Sequence, residues 1–329
     1  MANRDVIVVG ASAGGVEALS RLAKNLPADL PASVFVVLHI PAQSTSLLPM
    51  ILSRAGSLPA SHPEDGEGIE NGRIYVAPPD RHLMIEPGRI RVVRGPTENR
   101  HRPAIDPLFR SAARAYGPGV IGVILTGTLD DGTAGLIAVK VAGGLAIVQD
   151  PSDAFCAGMP KSALRYVEAD YVLPLREIGS LLARLSRGSL ESVAGSVSEQ
   201  MVKETKLAEF DMETMQNDDK PGTPSAFSCP DCSGVLWEIE EGNLLRFRCR
   251  VGHAYSTDSM NLAQDEAIER ALWAGLRALE ERAALSRRMA THARERNMDG
   301  IAIPFEEKLR QTEEQAELLR EVLLADGRT

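Results

Sequence analysis

Val6-Ile-Val-Val-Gly-Ala-Ser-Ala-Gly-Gly15 decides the reading of the fold. Its run of β-branched residues suits a strand covered on both faces, as in a parallel sheet. Residues 16–24 then place apolar side chains at three- and four-residue spacing, the mark of an amphipathic helix. Val34-Phe-Val-Val-Leu-His39 and Val120-Ile-Gly-Val-Ile-Leu-Thr-Gly127 are further strand-like runs that end in polar or glycine-rich turns. Residues 134–141 read as a helix, and 145–149 and 171–174 as strands. Alternating strands and helices predict an α/β fold with a doubly wound, mostly parallel sheet. Residues 73–94 differ: Pro87-Gly88 separates two short strands, so an antiparallel hairpin is expected, inserted in that sheet or edging it.

Composition narrows the classes. The chain of 329 residues has room for one sizeable α/β domain and smaller modules. No apolar run is long enough to span a bilayer, and the N-terminus lacks the regions of a signal peptide, so a cytoplasmic location without membrane insertion is expected. The net charge of −9 is concentrated in the tail, where residues 191–329 carry 17 basic and 27 acidic side chains. Such a chain does not suit nucleic acid, which selects a basic footprint. No internal repeat is visible.

Three strand ends carry chemistry. Ser12 follows the first strand where a helix begins, at the edge where open α/β sheets bind ligands. The helix N-terminus there would favour an oxyanion. A dinucleotide turn is disfavoured, because Gly-Ala-Ser-Ala-Gly-Gly lacks the G-x-G-x-x-G spacing, but a structural turn with Ser12 as N-cap stays open. His39 ends the second strand and could serve as general base, or simply pack there. Asp130 and Asp131 follow the third strand and could orient a histidine, or cap the next helix. Their joint placement suggests a Ser-His-Asp triad. The order differs from that of the α/β-hydrolases, and the G-x-S-x-G elbow is absent.

Residues 186–224 are rich in Ser, Glu, Asp and Lys and read as an acidic, flexible linker with room for a short helix. Cys229-Pro-Asp-Cys232 and Cys249-Arg-Val-Gly-His253 then form a C-x₂-C…C-x₃-H set within 225–260, a zinc-ribbon-like module. Three thiolates and an imidazole close a tetrahedral zinc site, so the zinc would be structural and separate from catalysis, with a metal-free ribbon bearing free thiols as the alternative. Cys156 reads as an ordinary buried thiol. Residues 261–329 read as a helical hairpin. Ile268, Leu272, Leu276, Leu279 and Ala283 form one stripe, 297–300 form the break, and Pro304 opens the second helix. The tail suggests a docking or dimerisation device for a signalling partner.

Residues 1–185 resemble the catalytic domain of the CheB-type protein-glutamate methylesterases. The matching pieces are Ile7-Val-Val-Gly-Ala-Ser-Ala-Gly-Gly15, His39-Ile-Pro41, Ile74-Tyr-Val-Ala-Pro78, Asn99-Arg-His-Arg-Pro103, Asp106, Gly122-Val-Ile-Leu-Thr-Gly127 with Asp131-Gly132, and Ala157-Gly-Met-Pro160. The resemblance implies Ser12 as nucleophile, His39 as base, Asp131 as the acid, and the N–H groups of Ala13 and Thr128 as oxyanion donors, with no catalytic cofactor. It implies a methylated chemoreceptor cytoplasmic domain, or a similar glutamate-rich protein, as substrate, with glutamine deamidation as a second reaction. Arg100 and Arg102, flanking His101, form either an exposed charged loop or, as the resemblance places this loop at the cleft, a binding surface for acidic substrate. The family usually has Gly-Met-Gly where Gly127-Thr128-Leu129 stands here. Its chemotaxis members carry an N-terminal receiver domain, so regulation here is expected to differ. A non-catalytic signalling scaffold, and an esterase or deamidase acting outside chemotaxis, stay open beside this reading.

Overall fold

In the computed structural model, residues 4–189, 198–209, 211, 213–214 and 222–326 are described. The chain divides into two compact units, Met1–Met260 and Asn261–Thr329.

The first unit is built on seven strands: β1 (Val6–Ala11), β2 (Ser33–Leu38), β3 (Ala60–Ser61), β4 (Ile74–Val76), β7 (Val120–Ile124), β8 (Leu145–Gln149) and β9 (Tyr171–Leu173). Their order is β3-β4-β2-β1-β7-β8-β9, and every pairing is parallel. The order reverses direction at β1, so the crevice above the carboxyl ends of β1, β2 and β7 is the switch point of a doubly wound sheet. The β1 side chains explain the centre of the fold. Ile7, Val9 and Ala11 enter one core with helix α1 (Gly15–Lys24), α2 (Leu48–Ala55) and α6 (Leu175–Ser186). Val6 and Val8 enter the other, with α3 (Ile105–Tyr116), α4 (Thr133–Val141) and α5 (Gly158–Tyr166). A strand buried on both faces has no polar alternation to show, which is why its sequence is a continuous apolar run.

The hairpin departs from expectation. β5 (His82–Glu86) and β6 (Arg89–Val93) pair with each other, as a two-stranded sheet outside the parallel one. It is anchored on α3, where Ser111 Oγ accepts the Ile85 N–H at 3.0 Å.

Residues 186–224, expected as an acidic flexible linker with room for a short helix, lie outside the described residues at 190–197, 210, 212 and 215–221. They contain α7 (Glu199–Ala208), capped by Ser198 through the Met201 N–H, with Met201, Glu204, Thr205, Leu207 and Ala208 buried. Next come β10 (Thr223–Ser228), β11 (Val235–Glu241), β12 (Leu244–Cys249) and β13 (Ala254–Ser256), an antiparallel four-stranded ribbon within the same unit. Five buried charges tie the ribbon to the α/β core. Glu98 accepts from Arg110 at 2.7 Å and from Arg248 at 3.0 Å, while Glu204 accepts from Arg246 at 2.7 Å and from Arg248 at 3.2 Å. Buried ions are tolerated only when paired in this way.

In the second unit, α8 (Thr257–Glu295), which begins in the first, and α9 (Asp299–Asp326) pack through small residues, with Ala283, Ser286, Ala290 and Ala293 on α8 and Ala302, Thr312 and Ala316 on α9 all buried. Two of the expected features differ. Ile268 is exposed, whereas Leu276 and Ala283 of the same expected stripe are buried. Pro304 lies inside α9 rather than at its start, the helix beginning at Asp299.

Burial alone would raise the Glu204 pKa, but Arg246, Arg248 and Arg110 overcome it and hold it well below the usual carboxylate range. Its contribution to stability is therefore complete above the unfolded pKa, near 4.3, and is lost as pH falls below it. Glu204→Gln leaves two buried guanidinium groups short of a partner. It is expected to destabilise the first unit by about 3 kcal/mol at pH 7, with the gap from wild type shrinking towards pH 3, measured by urea unfolding at both values.

Candidate active site

Ser12 lies between β1 and α1 at the switch point. Its N–H donates to the Thr126 carbonyl at 2.9 Å, and its own carbonyl accepts the Gly15 N–H at 2.8 Å. Gly14 takes φ 75°, the left-handed turn that brings the helix N-terminus round to the serine. His39 follows β2, its N–H held by the Ala11 carbonyl. The parallel register therefore delivers the two side chains side by side. His39 Nδ1 lies 3.2 Å from Ser12 Oγ, and His39 Nε2 lies 2.7 Å from Asp131 Oδ2. With Nε2 protonated and donating to Asp131, Nδ1 is left to accept from the serine hydroxyl.

Asp131 sits just before α4 and is buried. Oδ2 also accepts the Ile105 N–H at 2.7 Å. Oδ1 accepts from Asn99 Nδ2 at 2.9 Å, Gly132 N–H at 3.0 Å and Asp106 N–H at 3.3 Å. Burial would raise its pKa, but the hydrogen bond and charge of His39, with the Ile105 and Asn99 donors, hold it well below the ordinary value. Asp106 moves the other way: burial first, then repulsion from Asp131, raises its pKa well above the ordinary value. Asn99 Nδ2 bridges the two, donating also to Asp106 Oδ2 at 2.9 Å.

Asp130 is neither at the histidine nor a cap of α4, whose N-cap is Gly132 without a side-chain bond. Its Oδ1 accepts from Ser256 Oγ of the ribbon at 2.6 Å, and burial, with Asp258 and Asp131 adding repulsion, pushes its pKa up to about 7.

Ser12, Ala13, His39, Pro41, Arg100, His101 and Arg102 line a cleft of about 520 Å³. His101 stacks on His39 with ring centroids 3.7 Å apart and planes within 10°. Burial first, and then the charges of His39 and Arg100, pushes its pKa down to about 4, so it is neutral near pH 7. Arg102 is tied down: Nε donates to Asp80 at 2.8 Å and Nη1 to the Gly95 carbonyl at 2.7 Å. Gly127-Thr128-Leu129 keeps the tight turn without a third-position glycine, because Leu129 itself takes φ 59°. Thr126 Oγ locks this turn, donating to the Ala13 carbonyl at 2.8 Å and accepting the Cys156 N–H at 2.8 Å. Cys156 is half-buried and lends only its backbone.

The ligand atoms of Cys229, Cys232, Cys249 and His253 lie within 4.8 Å of one another. Cys232 Sγ and Cys249 Sγ are 3.7 Å apart, and His253 Nδ1 lies 3.6 Å from Cys229 Sγ and 3.5 Å from Cys249 Sγ. A tetrahedral ion with bonds of about 2.3 Å to sulfur spaces its ligands by roughly 3.5–3.8 Å, so the donor set fits such an ion. The expected separation of this cluster from catalysis does not hold in the architecture. The strand after His253 hydrogen-bonds Asn99, the Ser256 N–H donating to Asn99 Oδ1 at 2.9 Å. Asn99, Asp106 and Ser256 are the residues the sequence left without roles. Asn99 and Asp106 lie in quoted motifs, whereas nothing near Ser256 signalled its position.

The fold is a doubly wound α/β sheet, and Ser12, His39 and Asp131 meet in one hydrogen-bonded chain at its switch point. A family model, CheB methylesterase, matches residues 7–182. The chain is 41% identical over 190 residues to a putative protein-glutamate methylesterase/protein-glutamine glutaminase of Leptospira interrogans, covering 57% of this chain and 98% of that protein. It is 40% identical over 185 residues to a protein of the same designation from Xanthomonas campestris, covering 55% of this chain and 51% of that one. The CheB methylesterase catalytic domain of Thermotoga maritima superposes with a TM-score of 0.53 and 38% identity, over 55% of this chain and 98% of that domain. This chain belongs to the CheB methylesterase family.

Gly127 passes so close to Ser12 that a Cβ there would lie 2.9 Å from Ser12 Cβ and 2.0 Å from Met159 Sδ. Gly127→Ala must displace the serine, and a shift of about 1 Å can cost roughly a hundredfold in rate. Labelling of Ser12 by a fluorophosphonate is expected to slow by that order, with thermal unfolding still cooperative.

Proposed function

We propose that the protein hydrolyses methyl esters of glutamate side chains on a chemoreceptor-like protein, using Ser12, His39 and Asp131. The observation that carries this reading is the hydrogen-bonded chain from Ser12 Oγ through His39 to the buried Asp131 carboxylate. Ser12 Oγ attacks the γ-carbonyl carbon as its proton passes to His39 Nδ1. The tetrahedral intermediate collapses, the C–O bond to the methoxy group breaks, and methanol leaves with that proton. Water, deprotonated by His39, then attacks the acyl-enzyme and frees the glutamate and Ser12. Asp131 holds the imidazole in the accepting tautomer and stabilises its cation. The N–H groups of Ala13 and Thr128 would take the oxyanion, beside the N-terminus of α1. The same steps on a glutamine amide release ammonia, a slower reaction because the nitrogen must be protonated as it leaves. The designation of the relatives from Leptospira interrogans and Xanthomonas campestris, methylesterase/glutaminase, favours this second activity.

The substrate would be a glutamate-rich surface. Arg100 and Arg102 at the cleft give it positive charge, with Asp80 partly neutralising Arg102. Catalysis needs no cofactor in this scheme. Cys229, Cys232, Cys249 and His253 would hold a structural zinc ion, and the acidic second unit would dock a signalling partner. No described helix is long and apolar enough to cross a membrane, and a cytoplasmic site of action suits a receptor's cytoplasmic domain.

Ser12→Ala is expected to lower methanol release from methyl-labelled receptor fragments by about 10⁴-fold or more with the fold intact. Asp131→Asn should cost on the order of 10⁴-fold, because an amide facing Nε2 selects the tautomer that cannot accept from Ser12. Near-wild-type release by folded Ser12→Ala would refute the mechanism.

Native mass spectrometry is expected to find one zinc ion per chain. Removing it should lower the unfolding midpoint of the first unit, followed by the fluorescence of Trp237 on β11 in a Trp273→Phe background. Protein prepared without chelator that carries no metal would overturn the ligand assignment.

A further inference from the structure

The ribbon does more than sit beside the α/β core. Its last strand continues into the loop that supplies the triad's surroundings. The Ala254 N–H donates to the Thr97 carbonyl at 3.2 Å, and the Asn99 N–H donates to the Ala254 carbonyl at 2.8 Å, so residues 97–99 lie against β13. Glu98 of this loop accepts from Arg248 of β12. Asn99 and Arg100 both take positive φ, 49° and 69°, a conformation that non-glycine residues hold only when neighbours impose it.

Asn99 is the hinge of this arrangement. A side-chain amide has two faces, and here each is spoken for. Its oxygen accepts the Ser256 N–H at 2.9 Å and Ser259 Oγ at 3.3 Å. Its nitrogen is therefore turned to the two acids, Asp131 Oδ1 and Asp106 Oδ2, both at 2.9 Å. Flipped, the amide would aim its oxygen at the Asp131 carboxylate that must hold His39. Ser256 and Ser259 are themselves locked by a reciprocal cap at the start of α8. The Ser259 N–H donates to Ser256 Oγ at 3.1 Å, and the Ser256 N–H also reaches Ser259 Oγ at 2.9 Å. Ser256 Oγ donates in turn to Asp130 at 2.6 Å, fixing the backbone one residue before the catalytic acid.

We infer that Ser256 and Ser259 are positioning residues of the esterase site, setting the orientation of Asn99 and through it the geometry of Asp131 and His39. The assignment of a rate effect rests on the proposed esterase reading; the geometric part does not. The ribbon is thus the rear wall of the active site.

The test uses the full-length protein with the Ser256→Ala/Ser259→Ala pair, Ser259→Thr as the conservative change, and Thr257→Ala as control. The last removes a hydrogen bond of the same segment, to the Leu245 carbonyl, that leads away from the triad. Two readouts are taken. One is kcat and KM for release of methanol from methylated receptor fragments. The other is the far-downfield proton resonance of the His39 Nε2–H shared with Asp131, which needs no substrate. The double variant is expected to lose between about tenfold and a hundredfold in kcat at constant KM, with the resonance shifted or broadened. Ser259→Thr should restore both towards wild type, and Thr257→Ala should leave both unchanged. Should the double variant not fold, Ser259→Ala alone, which keeps the Ser256 cap oxygen, carries the same test. An unchanged resonance and kcat in a folded variant overturns the inference. So does an equal loss in Thr257→Ala, or a loss confined to KM. If wild type releases no methanol yet the resonance moves as expected, the positioning role stands and the proposed esterase function fails.

Discussion

A carboxylate that stays ionised inside a protein must be surrounded by donors, and much of this active site is the surrounding of Asp131. His39, Asn99 and the backbone N–H groups of Ile105, Asp106 and Gly132 all point at its two oxygens. The five donors come from four parts of the chain. His39 stands at the end of β2, Ile105 and Asp106 open α3, Gly132 precedes α4, and Asn99 rides on a loop held by the ribbon. Desolvation would neutralise the group, and only these contacts reverse it. The ionised carboxylate that orients His39 is therefore a property of the whole unit.

The same constraint explains the neighbours. Burial first, and then repulsion from the ionised Asp131, raises the Asp106 pKa well above the ordinary value, while the Asn99 amide serves both. His101 lies flat on His39 and is kept neutral near pH 7, so it adds apolar contact without opposing an imidazolium charge. Asp130, next in the chain to the acid, faces away from the histidine into the ribbon. Two adjacent aspartates thus have separate tasks, set by which way the turn before α4 points each of them.

The ribbon is joined to the core by a network of buried charges. Arg248 is shared between Glu98 and Glu204, Arg110 pairs with Glu98, and Arg246 with Glu204. Such a network costs desolvation on every member and is repaid only when all are present and aligned. That favours a single docking geometry, a useful property where the docked segment also orients Asn99.

The strands, the helices and the placement of Ser12, His39 and Asp131 at strand ends were open to inspection in the sequence, because buried parallel strands are continuous apolar runs and each of these residues follows one of them. The C-x₂-C…C-x₃-H spacing was equally plain, since metal ligands recur at fixed offsets along the chain. The separation of the β5–β6 hairpin from the sheet, the burial of α7 within an acidic stretch and the exposure of Ile268 were not, because each depends on what packs against the element. Asp131 could be distinguished from Asp130 only through family resemblance, and the contact that distinguishes them physically, Asp130 with Ser256, spans 126 positions of sequence. Local pattern determined the elements and the chemistry at their ends. Tertiary structure alone decided that the cysteine ribbon backs onto the triad, because charge pairing and amide orientation are fixed by partners that no periodicity brings together.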